Sequence, residues 1–198
     1  MSVLLNALTS ASIEEQSRAV TAQILSLPAF QQARSVSCYL SMPSGELDTS
    51  SLVSEILRCG KTLFVPKIDQ SKGGHMDFLK VYEKEDLDSF PRGSWGIKEP
   101  PSQWQGSPRD SALDERIAGL DIIFVPGVAF DRSFCRLGHG KGYYDHLIAS
   151  FSSTKKSKPL LVALAFQEQV LEKDKVPIEP HDWSMDLIVT PKMILSKE

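Results

Sequence analysis

Cysteine is scarce in this chain, with three in 198 residues, and Cys38, Cys59 and Cys135 stand far apart without metal-ligand spacing. An odd, scattered set excludes a disulfide scaffold and points to reduced thiols in a cytoplasmic protein. Long apolar runs are missing as well. The strongest, DIIFV at 121–125 and LLVALAF at 160–166, fall far short of the roughly 18 residues that a membrane span requires. There is no surplus of positive charge: 22 Lys and Arg stand against 25 Asp and Glu, a net charge of −3. That balance disfavours a nucleic-acid partner. The opening MSVLLNALTSAS has no basic flank ahead of its apolar residues, which argues against a secretory signal and for a cytoplasmic address. What remains is ordinary globular material, 41% hydrophobic and 24% charged. Its length suits one sizeable core, so a single domain over 1–198 is expected.

Apolar spacing orders the elements. Ser12 and Glu15 have capping-box spacing, and Ile13, Val20, Ile24 and Leu27 recur at helical period, so a first helix is expected to start there and end at Pro28. SVSCYLS alternates Val36, Cys38 and Leu40 with other residues and reads as a strand. Asp48 or Thr49 can cap a helix whose Leu52, Val53, Ile56 and Leu57 form one face, with Gly60 ending it. KTLFVP is the next strand, and HMDFLKV a third, at an edge or in an inserted hairpin. Residues 91–108 hold four prolines and three glycines, which predicts a long loop without regular structure. LDIIFVPG, LLVALAF and DLIVTP read as strands covered on both faces. The sum is an α/β chain, a three-layer α/β/α domain with a mainly parallel sheet.

RLGHGKGYYD at 136–145 is the segment that composition does not explain. Tyr144, Leu147, Ile148 and Phe151 are spaced for a helix face, so a helix starting near Gly140 is expected, with its N-terminus at Gly138–Gly142. Unpaired amides and the positive end of the helix dipole collect there, and glycine lets a phosphate approach the backbone. Arg136 and Lys141 flank the turn and favour the phosphate reading over glycines that serve backbone geometry alone. The segment is not a Walker A loop, because Cys135 stands where the first glycine is required and Gly142 follows Lys141 in place of Ser or Thr. Nor is it the dinucleotide fingerprint, since the glycines fall as G-x-G-x-G. Asp145 stands four residues after Lys141, which permits an ordinary helical ion pair; beside a bound nucleotide it suits Mg2+ instead, with Asp182 as a second carboxylate.

Together, PGVAFDRSFCRLGHGKGYYDHLI, YLSMPSGELDT, GKTLFVPK and HDWSMD resemble the 5-formyltetrahydrofolate cyclo-ligase family, also called methenyltetrahydrofolate synthetase, from about Glu14 to about Thr190. The resemblance implies an ATP-dependent enzyme that closes the small-molecule substrate 5-formyltetrahydrofolate to 5,10-methenyltetrahydrofolate, with ATP as co-substrate and Mg2+ as the metal. It implies a nucleotide segment of Arg136, Leu137, Gly138, His139, Gly140, Lys141, Gly142, Tyr143 and Tyr144, in which Lys141, Arg136 and Tyr143 act on the reacting groups. His139, Gly140, Lys141, Gly142 and Tyr143 would also border the folate, Leu40 and Glu46 would hold the pterin, and Trp95 would cover it from the long loop. Asp145 and Asp182 would be the Mg2+ carboxylates, while Asp131 braces the loop and stays outside the site. A monomer without nucleic-acid or membrane partners is expected. One departure stands out: members of that family usually open with a basic helix carrying a Lys and an Arg one turn apart, whereas the first basic residue here is Arg18. That leaves open a second reading, a folate- or nucleotide-binding protein with weak or no turnover.

Overall fold

A computed structural model describes residues 1–69, 75–93, 96–154 and 158–197. In chain order the elements are α1 (Ser2–Asn6), α2 (Ser10–Ser26), α3 (Pro28–Gln32), β1 (Ser35–Ser37), α4 (Ser50–Arg58), β2 (Thr62–Asp69), β3 (His75–Val81) and α5 (Lys84–Asp88). There follow β4 (Gln103–Trp104), β5 (Ser107–Pro108), β6 (Ile122–Val125), β7 (Ala129–Asp131), β8 (Arg136–Leu137), α6 (Tyr143–Thr154), β9 (Leu160–Leu164), β10 (Val170–Leu171), β11 (Leu187–Val189) and β12 (Ile194–Ser196).

Seven strands form one sheet in the order β12-β11-β9-β6-β1-β2-β3, parallel except for the two edge strands β3 and β12. Its central strands are apolar on both faces, and the pleat divides each run between two cores. Leu63, Val65, Ile122, Phe124, Val162 and Leu164 pack with Val20, Ile24, Phe30, Leu52 and Ile56 of α2, α3 and α4. Phe64, Ile123, Val125, Leu161 and Ala163 face the other way, onto Leu147, Ile148 and Phe151 of α6. Helices therefore cover both faces, as the α/β/α reading expects. From β1 the chain proceeds through α4 to β2 on one side, and from β6 through α6 to β9 on the other. The order thus reverses between β1 and β6, where loops diverge and leave a crevice beyond the carboxyl ends of the strands.

Several local expectations change. The cap of α2 is Thr9, whose hydroxyl accepts from Ser12 N at 3.2 Å, so Ser12 lies inside the helix. Pro28 starts a new helix at its first position, where its missing N–H costs nothing. The strand expected over SVSCYLS is shorter, with β1 ending at Ser37, and Ser37 is as buried as Val36 and Cys38. At α4, Asp48 accepts from Ser50 N, whereas the Thr49 hydroxyl donates to Tyr39 O and ties the helix start to the end of β1. Within 91–108 a small hairpin does form, β4 with β5, around Gln105 and Gly106 at φ 48° and 80°. A two-residue turn of that hand needs no hydrophobic period, so pattern reading passes over it. The edge strand β12 and the small sheet β10-β7-β8 were likewise not expected, being too short to show a period.

Candidate active site

A cleft of about 380 Å3 opens at that crevice. Tyr39, Leu40 and Glu46 line it after β1, Pro126 and Gly127 after β6, and Ile68 and Met76 from the β2–β3 hairpin. The whole stretch Arg136–Asp145 forms another wall, and Glu179, His181 and Asp182 close one side. Sequence reading missed the hairpin residues, and also Ile97 and Glu99 of the long loop, which reach the cleft while Lys67 of β2 holds Glu99 at 2.9 Å. Nothing local in the sequence marks these as lining residues. Trp95 lies outside the described residues.

The glycine run starts on β8, pinned by its pairing with β7. A Cβ on Gly138 would stand 2.8 Å from Arg136 Nη1, so any side chain there would have to displace the guanidinium. Gly140 and Gly142 take φ of 76° and 63°, a left-handed backbone that glycine adopts without strain. These two residues delay α6 to Tyr143, later than the expected start near Gly140; its first helical hydrogen bond runs from His146 N to Gly142 O at 3.0 Å. From Gly138 to Tyr144 no backbone N–H donates among the described residues. A row of unspent donors at the positive end of α6 therefore faces the cleft.

Charge is arranged on two levels. Lys141 is exposed at the helix start and has no hydrogen-bond or ion-pair partner among the described residues. Arg136 is nearly buried and pairs with Asp145, its guanidinium lying 5.7 Å over the Tyr144 ring. The ordinary helical pair between Lys141 and Asp145 does not form, because Asp145 points inward and Lys141 outward. Asp145 Oδ1 also accepts from Trp183 N at 3.1 Å, which brings the neighbouring Asp182 to the same cleft. Asp182 Oδ2 accepts from Glu179 N at 2.7 Å, so it forms a turn as well as a wall. Among the described residues no group of three His, Cys, Asp or Glu side chains could hold a metal. Two carboxylates on one cleft fit a cation that takes its remaining oxygens from a bound phosphate. Asp131 is fully buried and accepts from four backbone N–H groups, at Ser133, Cys135, Lys175 and Val176, bracing the turn into β8.

Across the cleft, Glu46 is held by Met42 N, which donates to Oε2 at 2.9 Å. Burial raises its pKa above the usual carboxylate value, and the Met42 bond only partly offsets this. The phenols of Tyr39 and Tyr144 are raised well above the ordinary tyrosine value, first by burial and then by the Glu46 charge, so both remain protonated. The sign for Glu46 follows directly. Folded protein holds this proton more tightly than unfolded chain, so stability falls as pH rises from the ordinary carboxylate value through the raised one. Glu46→Gln is therefore expected to melt higher than the wild type at neutral pH, with the gap closing on acidification, in thermal scans across pH.

The 5-formyltetrahydrofolate cyclo-ligase family matches residues 1–191. A 5-formyltetrahydrofolate cyclo-ligase of Mus musculus is 34% identical over 185 residues, 93% of this chain and 87% of the relative. The NMR structure of Aquifex aeolicus 5,10-methenyltetrahydrofolate synthetase superposes with a TM-score of 0.72 at 31% identity, covering 97% of this chain and 86% of that one. A methenyltetrahydrofolate synthetase from Mycoplasma pneumoniae shares the fold, with a TM-score of 0.66 at 15% identity over 96% of this chain and 93% of its own. With the match spanning both walls of the cleft and every strand that bears them, this chain belongs to the 5-formyltetrahydrofolate cyclo-ligase family.

Proposed function

We propose that this chain converts 5-formyltetrahydrofolate to 5,10-methenyltetrahydrofolate at the expense of ATP, releasing ADP and phosphate, as a single-domain cytoplasmic monomer. The observation that carries the reading is the row of unpartnered amides from Gly138 to Tyr144 opening onto the cleft that Glu46 closes from the far side. One wall suits a polyanion. The other suits a ring with adjacent N–H donors, because a carboxylate accepts two at once. A formyl amide is a poor electrophile, and transfer of the terminal phosphoryl to its oxygen makes a good leaving group. Folate N10 then attacks the formyl carbon, loses its proton, and phosphate departs with the former formyl oxygen. Such chemistry asks the protein for position and positive charge, with no side-chain nucleophile.

Each residue then has a task. The amides of the glycine run hold phosphate oxygens, and exposed Lys141 lies against the transferring group. Arg136, fixed by Asp145, adds charge from beneath, and Tyr143 with His139 borders the junction between nucleotide and folate. Leu40 and Glu46 seat the pterin, and Trp95 covers it. Asp145 and Asp182 would hold Mg2+, which would supply charge neutralisation on the phosphoryl oxygens. Asp145→Asn and Asp182→Asn are each expected to raise the Mg2+ needed for half-maximal rate by about tenfold or more. Only Asp145→Asn is also expected to lower the melting temperature, because it strips the nearly buried Arg136 of its partner. The function itself is tested by the growth of methenyltetrahydrofolate absorbance on mixing the chain with substrate and Mg-ATP. Folate binding without turnover would favour the binding-protein reading.

A further inference from the structure

Lys67 and Glu99 form an ion pair at the cleft that none of the roles given above uses. Glu99 Oε2 accepts from Lys67 Nζ at 2.9 Å, and the lysine and glutamate side chains are 28% and 19% exposed. Gly93 lies against the carboxylate, where a Cβ would stand 2.5 Å from Glu99 Cδ. The loop that carries Glu99 is closed by a bridge between Arg92 and Lys98. Lys98 Nζ reaches the Leu87 and Asp88 carbonyls at the end of α5, whereas Ile97 and Glu99, on either side of it, both line the cleft. Gly96 approaches Pro43, with a Cβ there falling 3.1 Å from Pro43 Cγ, so Ile97 follows directly on a contact with the segment that bears Glu46.

Ile68 and Met76 stand directly opposite each other in the β2–β3 ladder, and both line the cleft. Lys67 immediately precedes Ile68, so its bond to Glu99 joins the loop to this apolar wall. A carboxylate left unpaired beside aliphatic side chains would be costly, and the lysine removes that cost. With the charge matched, Ile68, Met76 and Ile97 offer a surface that suits a flat apolar group and gives a phosphate nothing to bind. We propose that Lys67 and Glu99 are positioning residues whose ion pair sets Ile97 with Ile68 and Met76 as the seat of the aminobenzoyl ring of the folate. This rests on the folate reading proposed above and deepens it. The ring is the flat apolar part of that substrate, between the hydrogen-bonding pterin and the anionic glutamate. It is bonded to N10, so its seat also places the attacking nitrogen.

Calorimetric titration of Lys67→Met with 5-formyltetrahydrofolate is expected to show a Kd about fivefold weaker than that of the wild type, the most that a partly exposed ion pair can contribute to holding a loop. Lys67→Arg keeps the pair and is expected to stay within about twofold. Ile97→Ala leaves the pair intact and is expected to lose about fivefold through the apolar contact itself. The losses follow the ring. The compound 5-formyltetrahydropteroate, which keeps the aminobenzoate but has no glutamate, loses as much affinity as the folate. Binding of 5-formyltetrahydropterin, which has neither, and of ADP stays within about twofold. Melting temperatures of the three variants are expected within about 4 °C of the wild type. An equal loss for the pterin or for ADP marks a general disturbance of the cleft and overturns the inference. So does a pteroate affinity that the variants leave unchanged, which would assign the pair to the glutamate. Unchanged folate affinity in either Lys67→Met or Ile97→Ala overturns it also, while the folate reading stands. A wild-type chain that binds no folate overturns the folate reading and this inference with it.

Discussion

Lys141→Ala is expected to lower kcat/KM for methenyltetrahydrofolate formation by about a hundredfold or more. Its melting temperature should stay within a degree or two of the wild type. On the function proposed above, the rate effect follows from removing a cation beside the transferring phosphoryl, a change of the order seen where such charge-stabilising donors are deleted. The small stability effect follows from geometry. Lys141 is exposed, sits before the first residue of α6 and supports nothing in either core. Steady-state kinetics at saturating and limiting ATP, with a thermal scan of the same sample, checks both. Wild-type kinetics in the variant would remove Lys141 from the mechanism. Arg136 is less suitable for this test, because losing it strands the Asp145 carboxylate in a nearly dry site and mixes folding with chemistry.

Asp86→Ala carries the largest expected cost to stability, about 3–5 kcal/mol, and a fall in melting temperature of roughly 6–20 °C. Asp86 and Arg109 form a bidentate pair at 2.7 and 2.5 Å with side-chain exposures of 0% and 1%. The guanidinium also donates to the Pro101 and Lys80 carbonyls and lies within 6 Å of the Phe90, Trp104 and Tyr82 ring centres. Asp86 in turn accepts from Tyr82 N. Deleting the carboxylate leaves a charge with nowhere to go, whereas replacing both partners by apolar residues is expected to recover much of the loss. Urea denaturation of the single and double variants measures it. The pair gathers the proline-rich loop that delivers Ile97 and Glu99 to the cleft, so the single variant should also raise KM for the folate more than it lowers kcat.

How the halves of this protein became visible differs in kind. The sheet was legible because DIIFV, LLVALAF and DLIVTP are buried on both faces, and only strands between two helical layers tolerate that composition. The glycine segment was legible because left-handed backbone at Gly140 and Gly142 restricts residue choice locally. Short pieces escaped. β4, β7, β8, β10 and β12 run for two or three residues, less than one repeat of any pattern, and only β10 finds its partner, β7, far away in the chain.

By itself, then, the order of residues determined the α/β/α class, the place of the glycine turn before α6 and the family, because each rests on interactions among near neighbours. Which carboxylate meets which cation was settled only in three dimensions. Asp145 turned from Lys141 to Arg136, and Asp86 found Arg109, through burial that no local spacing encodes. Glu46 and Tyr144 are 98 positions apart in the chain, yet the reversal of strand order between β1 and β6 opens one cleft whose walls they share. A carboxylate's neighbours decide its chemistry, and in this fold those neighbours come from distant strands.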